Sequence, residues 1–262
     1  MSETLSTRVR AFGCSIGIVS NGRDAFDMLE RYVFPSMPRE GMSAERADLS
    51  LRLEQSAGRI HLSVDGVVVR SSDQPQELAV HMINAIDEAV IQRMKGLHAV
   101  HAGAVMMKGR GLLLPGRTHA GKSSLVAELL RRGAGYFSDE YGLIDSEGRV
   151  HAYPRPLLMR NGRPKQLPML PEDYDSSVVD APAPVGWILS LEYQPGSEWE
   201  ASAVPLSVAM LFLLRNTPHA LAESPEMVGS FARAVSGAIC LEGCRGEVGE
   251  AADRIQDLVE ST

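Results

Sequence analysis

The chain has 262 residues, enough for one large domain or two small ones with a buried core. Its 44% hydrophobic and 23% charged residues are ordinary for a soluble globular protein, and a net charge of −7 gives no electrostatic reason to bind nucleic acid or a membrane. From Ser197 onward ten acidic residues stand against four basic ones, which disfavours a polyanionic partner in the C-terminal third.

Near the N-terminus Phe12, Cys14, Ile16 and Ile18 alternate as in a half-buried strand, and Ala25, Met28, Leu29 and Tyr32 follow at helical spacing. Ser15, Gly17, Ser20 and Asn21 interrupt any continuous apolar core of a signal peptide, and no apolar run approaches the roughly 18 residues of a membrane span. The three cysteines, Cys14, Cys240 and Cys244, have no matching His/Cys cluster, so reduced thiols in a cytoplasmic protein are expected. Pro35, Pro38 and Gly41 mark a loop, and Leu49, Leu51 and Leu53 alternate again. Asp65-Gly66, between the run Ile60, Leu62, Val64 and Val67-Val68-Val69, is a tight-hairpin signal. Asp73 with Gln76 has the pattern of a capping box, predicting a helix to about Met94 with the apolar stripe Leu78, Met82, Ile86 and Val90. Residues 1–96 therefore read as a small α+β unit without a catalytic constellation, holding a substrate or covering the sheet of the second unit, 97–262.

That second unit opens with a strand at His101 to Met107, a turn, and the apolar run Leu112-Leu113-Leu114-Pro115. Gly116-Arg117-Thr118-His119-Ala120-Gly121-Lys122-Ser123 fits the Walker A pattern, and Leu125, Val126, Leu129 and Leu130 continue as a helix. Backbone amides at such a loop and first helical turn meet phosphate oxygens at the positive end of the helix dipole. Gly116 and Gly121 are expected to supply special backbone angles, Lys122 to reach the β- and γ-phosphates, and Ser123 to ligate Mg²⁺. Arg117, Thr118, His119, Ala120 and Ser124 complete the expected nucleotide-binding segment.

Beyond it, Tyr136 to Asp145 reads as two short strands around Asp139-Glu140, with another at Val150 to Tyr153. Seven prolines between Pro154 and Pro184 predict a long surface loop. Trp187 to Tyr193 reads as a strand, Ser207 to Leu214 and Pro225 to Ser236 as helices, Ala238 to Leu241 as a short strand, and Glu247 to Val259 as a last helix. The alternation gives an α/β fold with a nucleotide-binding core.

Phosphoryl transfer needs metal ligands and a group that deprotonates the acceptor. Asp139 and Glu140, 23 and 24 residues after Gly116, are the candidates, placed where a parallel sheet would present ligands at its strand ends. His101 is a candidate partner for the Asp139 carboxylate, and Arg155 and Arg160 are candidate charges for the transferred group or the substrate.

His101-Ala102-Gly103-Ala104-Val105, the glycine loop fifteen residues later, and Ser138-Asp139-Glu140 together resemble the catalytic domain of bacterial HPr kinase/phosphorylase, and more closely its small relatives. The resemblance covers about residues 97 to 160. It implies a P-loop core of the HPr kinase/phosphoenolpyruvate carboxykinase type, with Asp139 as catalytic base, His101 as its interacting histidine, and Lys122 and Ser123 on phosphate and Mg²⁺. Glu140 stands where the family usually has a second aspartate. His119 replaces a glycine common in the family loop, and neither the E-I-R-G-x-G signature nor the late P-G-R-N segment has a clear match here. Phosphorylase activity and HPr as substrate are therefore not carried over. The resemblance implies an ATP- and Mg²⁺-dependent kinase acting on a hydroxyl, first a serine of a peptide or small protein. A small-molecule kinase, or a non-catalytic nucleotide-binding partner of a peptide-modification system, are the alternatives. The sequence leaves the oligomeric state open, a homo-oligomer included.

Overall fold

The computed structural model describes residues 4–37, 39–40, 46–116, 120–160, 162–218 and 224–262. The chain divides into two compact units. One carries the N-terminal residues through Lys95 together with Leu158–Met169, and the other Gly96–Leu157 and Leu170–Thr262. The architecture is mixed α/β, with three sheets and six α-helices among the described residues.

In the first unit, β1 (Thr4–Ala11), β2 (Cys14–Asn21), β3 (Arg39–Glu40), β4 (Leu49–Ser56), β5 (Arg59–Val64) and β6 (Val67–Ser72) form one sheet in the order β3-β1-β2-β4-β5-β6. The hairpin between β5 and β6 turns at Asp65 (φ 48°) and Gly66 (φ 85°), the pair of left-handed residues a two-residue turn demands. Helix α1 (Arg23–Tyr32) connects the parallel strands β2 and β4 and buries Ala25, Met28, Leu29 and Tyr32, the residues its spacing selects. Helix α2 (Pro75–Arg93) buries the stripe Leu78, Met82, Ile86 and Val90, each side chain contributing about 1.5–3 kcal/mol. The expected capping box does not form. Pro75 is the first helical residue, where its missing N–H costs nothing, and Gln74 caps the helix without a side-chain bond.

The second unit is built on a long strand, β7 (Leu97–Met107). Its first half pairs antiparallel with β10 (Tyr141–Asp145), and its second half with β8 (Arg110–Pro115) and β9 (Gly135–Ser138). Strand β11 (Arg149–His151) follows β10 in a hairpin. The segment read as one proline-rich loop contains a two-stranded ribbon, β12 (Leu157–Met159) with β13 (Leu167–Met169), and a short 3₁₀ turn at Pro171–Tyr174. Strand β13 belongs to the first unit and packs there on α2. Strands β14 (Ala183–Tyr193), β15 (Glu200–Ala203) and β16 (Ile239–Arg245) complete the sheet in the order β11-β10-β7-β8-β14-β16-β15.

Among the described residues of this sheet β8, β14 and β16 pair parallel and the other neighbours antiparallel, so the sheet is mixed. Helix α3 (Lys122–Arg131) packs on α6 (Val248–Glu260), and α4 (Leu206–Arg215) on α5 (Pro225–Ser236). The core gathers Val100, Leu113, Phe137, Ile144, Ile188 and Phe231, all fully buried. Among the described residues no helix is long and apolar enough to cross a membrane.

Candidate active site

Strand direction brings the candidate residues to one edge of the second sheet. Strand β8 ends at Pro115, and its parallel neighbour β14, with β16 beyond it, runs the same way to Tyr193 and Arg245 respectively. Strand β7 runs against β8 and pairs Ala102 with Pro115, which sets His101 at the same edge. Strand β10 runs against β7 and pairs Tyr141 with His101. Gly116, His101 and Glu140 thus converge through backbone register. The Gly116 amide donates to the His101 carbonyl at 3.4 Å, and the Ala102 amide to the Glu140 carbonyl at 3.0 Å.

The Walker-pattern segment joins β8 to α3, and within it Arg117, Thr118 and His119 lie outside the described residues. Gly121 occupies the N-cap with φ 74°, a left-handed conformation costly to any residue with a Cβ. Gly116 is not left-handed, and a Cβ there would meet only ordinary contacts, Ala120 Cβ at 3.5 Å being nearest. Of the two glycines only Gly121 is required by its backbone angles. The first helical bond runs from the Leu125 amide to the Gly121 carbonyl at 3.2 Å, and no capping side chain is present among the described residues. The amides of Lys122, Ser123 and Ser124 therefore form a first turn whose donors have no intrahelical acceptor. Ser123 is half-buried there and Ser124 exposed. Lys122 Nζ donates to the Gly116 carbonyl at 2.8 Å. Burial pushes its pKa below the usual lysine value, against the opposing pull of Glu140 and Asp139.

At the end of β9 the Ser138 hydroxyl accepts from the amides of Glu140 (3.2 Å) and Tyr141 (3.1 Å), which fixes the turn that separates the two carboxylates. Asp139 turns inward and is 1% exposed. Its Oδ1 lies 3.9 Å from Arg155 Nε and 3.4 Å from the Tyr136 hydroxyl, which donates to the Arg155 carbonyl at 2.9 Å. Glu140 is half-buried, its side chain 32% exposed. Its Oε1 meets His101 Nε2 at 2.7 Å, and its Oε2 lies 3.9 Å from Arg155 Nη1. The Nε2 of His101 thus engages Glu140 in place of the expected Asp139, because the β7–β10 register sets residue 140 one step past the His101–Tyr141 pair. Burial acts to raise the Glu140 pKa, but the His101 hydrogen bond and the charges of Arg155 and Lys122 outweigh it, and the carboxyl lies below its usual value. Arg155 is brought to the carboxylates. Arg160 belongs to the other unit, where Nη1 donates to the Pro164 carbonyl at 3.0 Å.

Among the described residues no three His, Cys, Asp or Glu side chains converge on a metal site. Ser123, Asp139 and Glu140 carry hard oxygen donors, the ligand class that Mg²⁺ takes beside phosphate and water.

An open pocket of about 460 Å³ is lined by His101, Glu140, Tyr141, Arg215, Asn216 and Thr217, among others. The Asn216 carbonyl at the end of α4 accepts from the His101 amide at 2.6 Å. Asp139 does not line this pocket. Sequence reasoning singled out neither Asn216 nor Tyr136, nor Arg245, whose Nη2 donates to the Gly121 carbonyl at 3.0 Å. No local pattern marks these residues, since each acts through a partner remote in sequence or through its backbone.

No protein-family model matches the chain. No curated protein matches it either. Among solved structures, the Hpr(Ser) kinase/phosphatase from Coxiella burnetii aligns over 63% of this chain and 99% of its own, with 15% sequence identity and a TM-score of 0.31. A superposition that loose does not define a common fold, and the functional reading rests on the residues of the site.

Proposed function

We propose that the protein is an ATP- and Mg²⁺-dependent phosphotransferase of the HPr-kinase-like type, transferring the γ-phosphoryl group to a hydroxyl of a peptide, small protein or small molecule. One observation carries the reading. Lys122, at the start of the helix after the glycine pattern, bonds to Gly116, whose amide bonds to the His101 backbone, and the His101 ring bonds to Glu140. A phosphate-binding sequence and a proton-accepting pair are thereby joined in one short set of hydrogen bonds.

In this reading the Lys122 ammonium and the amides of Lys122, Ser123 and Ser124 hold the triphosphate. Ser123 with whichever of Asp139 and Glu140 is not the base would hold Mg²⁺, which when bound offsets phosphate charge. The acceptor hydroxyl enters the pocket beside His101. Its oxygen bonds to the γ-phosphorus, the bond from that phosphorus to the β,γ-bridging oxygen breaks, and ADP leaves. The hydroxyl proton passes to a carboxylate. The family resemblance gives that role to Asp139. Exposure favours Glu140, which lines the pocket and is hydrogen-bonded to His101, while Asp139 is buried against Arg155. Asp139 then holds Arg155 and the metal in place.

Calorimetry with Mg·ATP, followed by ADP release in the presence of seryl peptides and small hydroxyl compounds, tests the reading. Binding with acceptor-stimulated ADP release is the expected result. The absence of any binding at millimolar nucleotide rejects it.

A further inference from the structure

Arg245 is a buried charge beside the glycine pattern. It is the last residue of β16 and is 3% exposed. Its Nη2 donates to the Gly121 carbonyl and its Nη1 to the Gly246 carbonyl, both at 3.0 Å. The guanidinium carbon sits 5.1 Å from the centroid of the Tyr193 ring, at the end of the neighbouring parallel strand. Burial pushes the arginine below its usual pKa, opposed by Tyr193 and Glu247.

The bond to Gly121 has a directional consequence. The peptide between Gly121 and Lys122 is planar and trans, so its C=O and N–H point opposite ways. Holding the carbonyl fixes where the Lys122 amide, the first of α3, is aimed. The carbonyl has capacity for this bond beside the one from Leu125, having two lone pairs. A Cβ at position 121 would overlap Arg245 Nη2, so the guanidinium keeps this position only beside glycine. The location is electrostatically unfavourable for a cation by itself, because Arg245 and Lys122 both stand at the positive end of α3. An anion bound at that helix end offsets the repulsion.

We propose that Arg245 is a positioning residue for the nucleotide phosphates: its guanidinium fork holds the Gly121–Lys122 peptide so that the Lys122 amide faces them. This rests on the nucleotide-binding reading and extends it to a residue more than a hundred positions beyond the glycine pattern. The test compares wild type, Arg245→Lys and Arg245→Met by calorimetry with Mg·ATP and with Mg·tripolyphosphate, which lacks base and ribose. Arg245→Met is expected to lose about 10- to 100-fold in affinity for both probes, the range for losing a hydrogen bond from a charged group. Arg245→Lys keeps the charge without the two-carbonyl fork and is expected to lose at least about fivefold for both. Should the methionine variant fail to fold, the lysine variant decides. Full rescue by lysine overturns the positioning role, as does a loss confined to ATP, which would point to the base or ribose. A wild-type protein that binds neither probe overturns the nucleotide reading itself. Wild-type binding that both variants retain undiminished overturns only the role of Arg245.

Discussion

Replacing Asp139 and Glu140 by their amides separates two neighbouring carboxylates that the structure places in different surroundings. Asp139 is 1% exposed and Arg155 4%, with 3.9 Å between them. Removing one member of a buried ion pair costs about 3–5 kcal/mol, because the other charge stays buried. Here Glu140 Oε2 remains 3.9 Å from the same guanidinium, so the lower end of that range, about 3 kcal/mol, is expected for Asp139→Asn. The Glu140 side chain is 32% exposed and the His101 ring 20%, so solvent screens their contact. Glu140→Gln should cost no more than about 1 kcal/mol of stability. Its effect on transfer should be far larger, a fall of about 10²–10⁴, the span for losing a positioned base. Urea unfolding of both variants gives the stabilities, and ADP release with a responsive acceptor gives the rates under conditions where both are folded. Glu140→Gln turning over at the wild-type rate while folded Asp139→Asn is inactive would refute the assignment and return the base to Asp139. Wild-type rates in both would remove the carboxylates from the mechanism altogether.

Lys122→Ala removes a charge-assisted phosphate contact and should weaken Mg·ATP binding by about 10- to 100-fold in calorimetry, with unchanged affinity contradicting the phosphate role. Gly121→Ala imposes about 1–2 kcal/mol of left-handed strain and displaces Arg245, so denaturant unfolding and nucleotide affinity should both suffer. A variant bound as tightly as wild type would show that the Gly121 carbonyl need not be held. Asp145 closes the β10–β11 hairpin. Burial acts to raise its pKa, but hydrogen bonds from His151 and from the backbone and side chain of Arg149 outweigh it and bring it from the usual 3.8 to about 2. A depressed folded-state value stabilises above pH 3.8 and loses that contribution as pH falls toward 2. The gap is worth about 2 kcal/mol, so Asp145→Asn should be less stable than wild type by about that much at neutral pH, converging with it near pH 2. A stability difference independent of pH would show that the ionised form is not what matters.

What the sequence determined by itself is what local periodicity and turn chemistry encode. The Asp65-Gly66 hairpin was legible because only a few residue pairs tolerate two left-handed positions in succession. The burial of α1 and α2 was legible because a period of 3.6 writes the packed face into the order of residues. Helix α5 spans Pro225–Ser236 as read, with proline at its start and Ser224 accepting from the Met227 amide. The strand before the glycine pattern and the helix after it followed from the same signals. Strand β1 was not legible, since Thr7, Arg8 and Val9 are buried in succession and leave no alternation, and edge strand β15 carries too little apolar surface to announce itself. The direction of each strand, and hence the mixed sheet, was decided only by tertiary pairing. So was the partner of His101. Adjacent carboxylates look alike in a sequence, and the β7–β10 register, with the Ser138 turn, sends one inward to Arg155 and the other to the histidine. The contact of Arg245 with Gly121 joins residues 124 positions apart because β8, β14 and β16 run parallel, and β14 and β16 continue past the level at which β8 ends. Periodicity is a property of neighbours along the chain, whereas a site assembled from strand ends depends on register between distant segments, and register is fixed only when the sheet has formed.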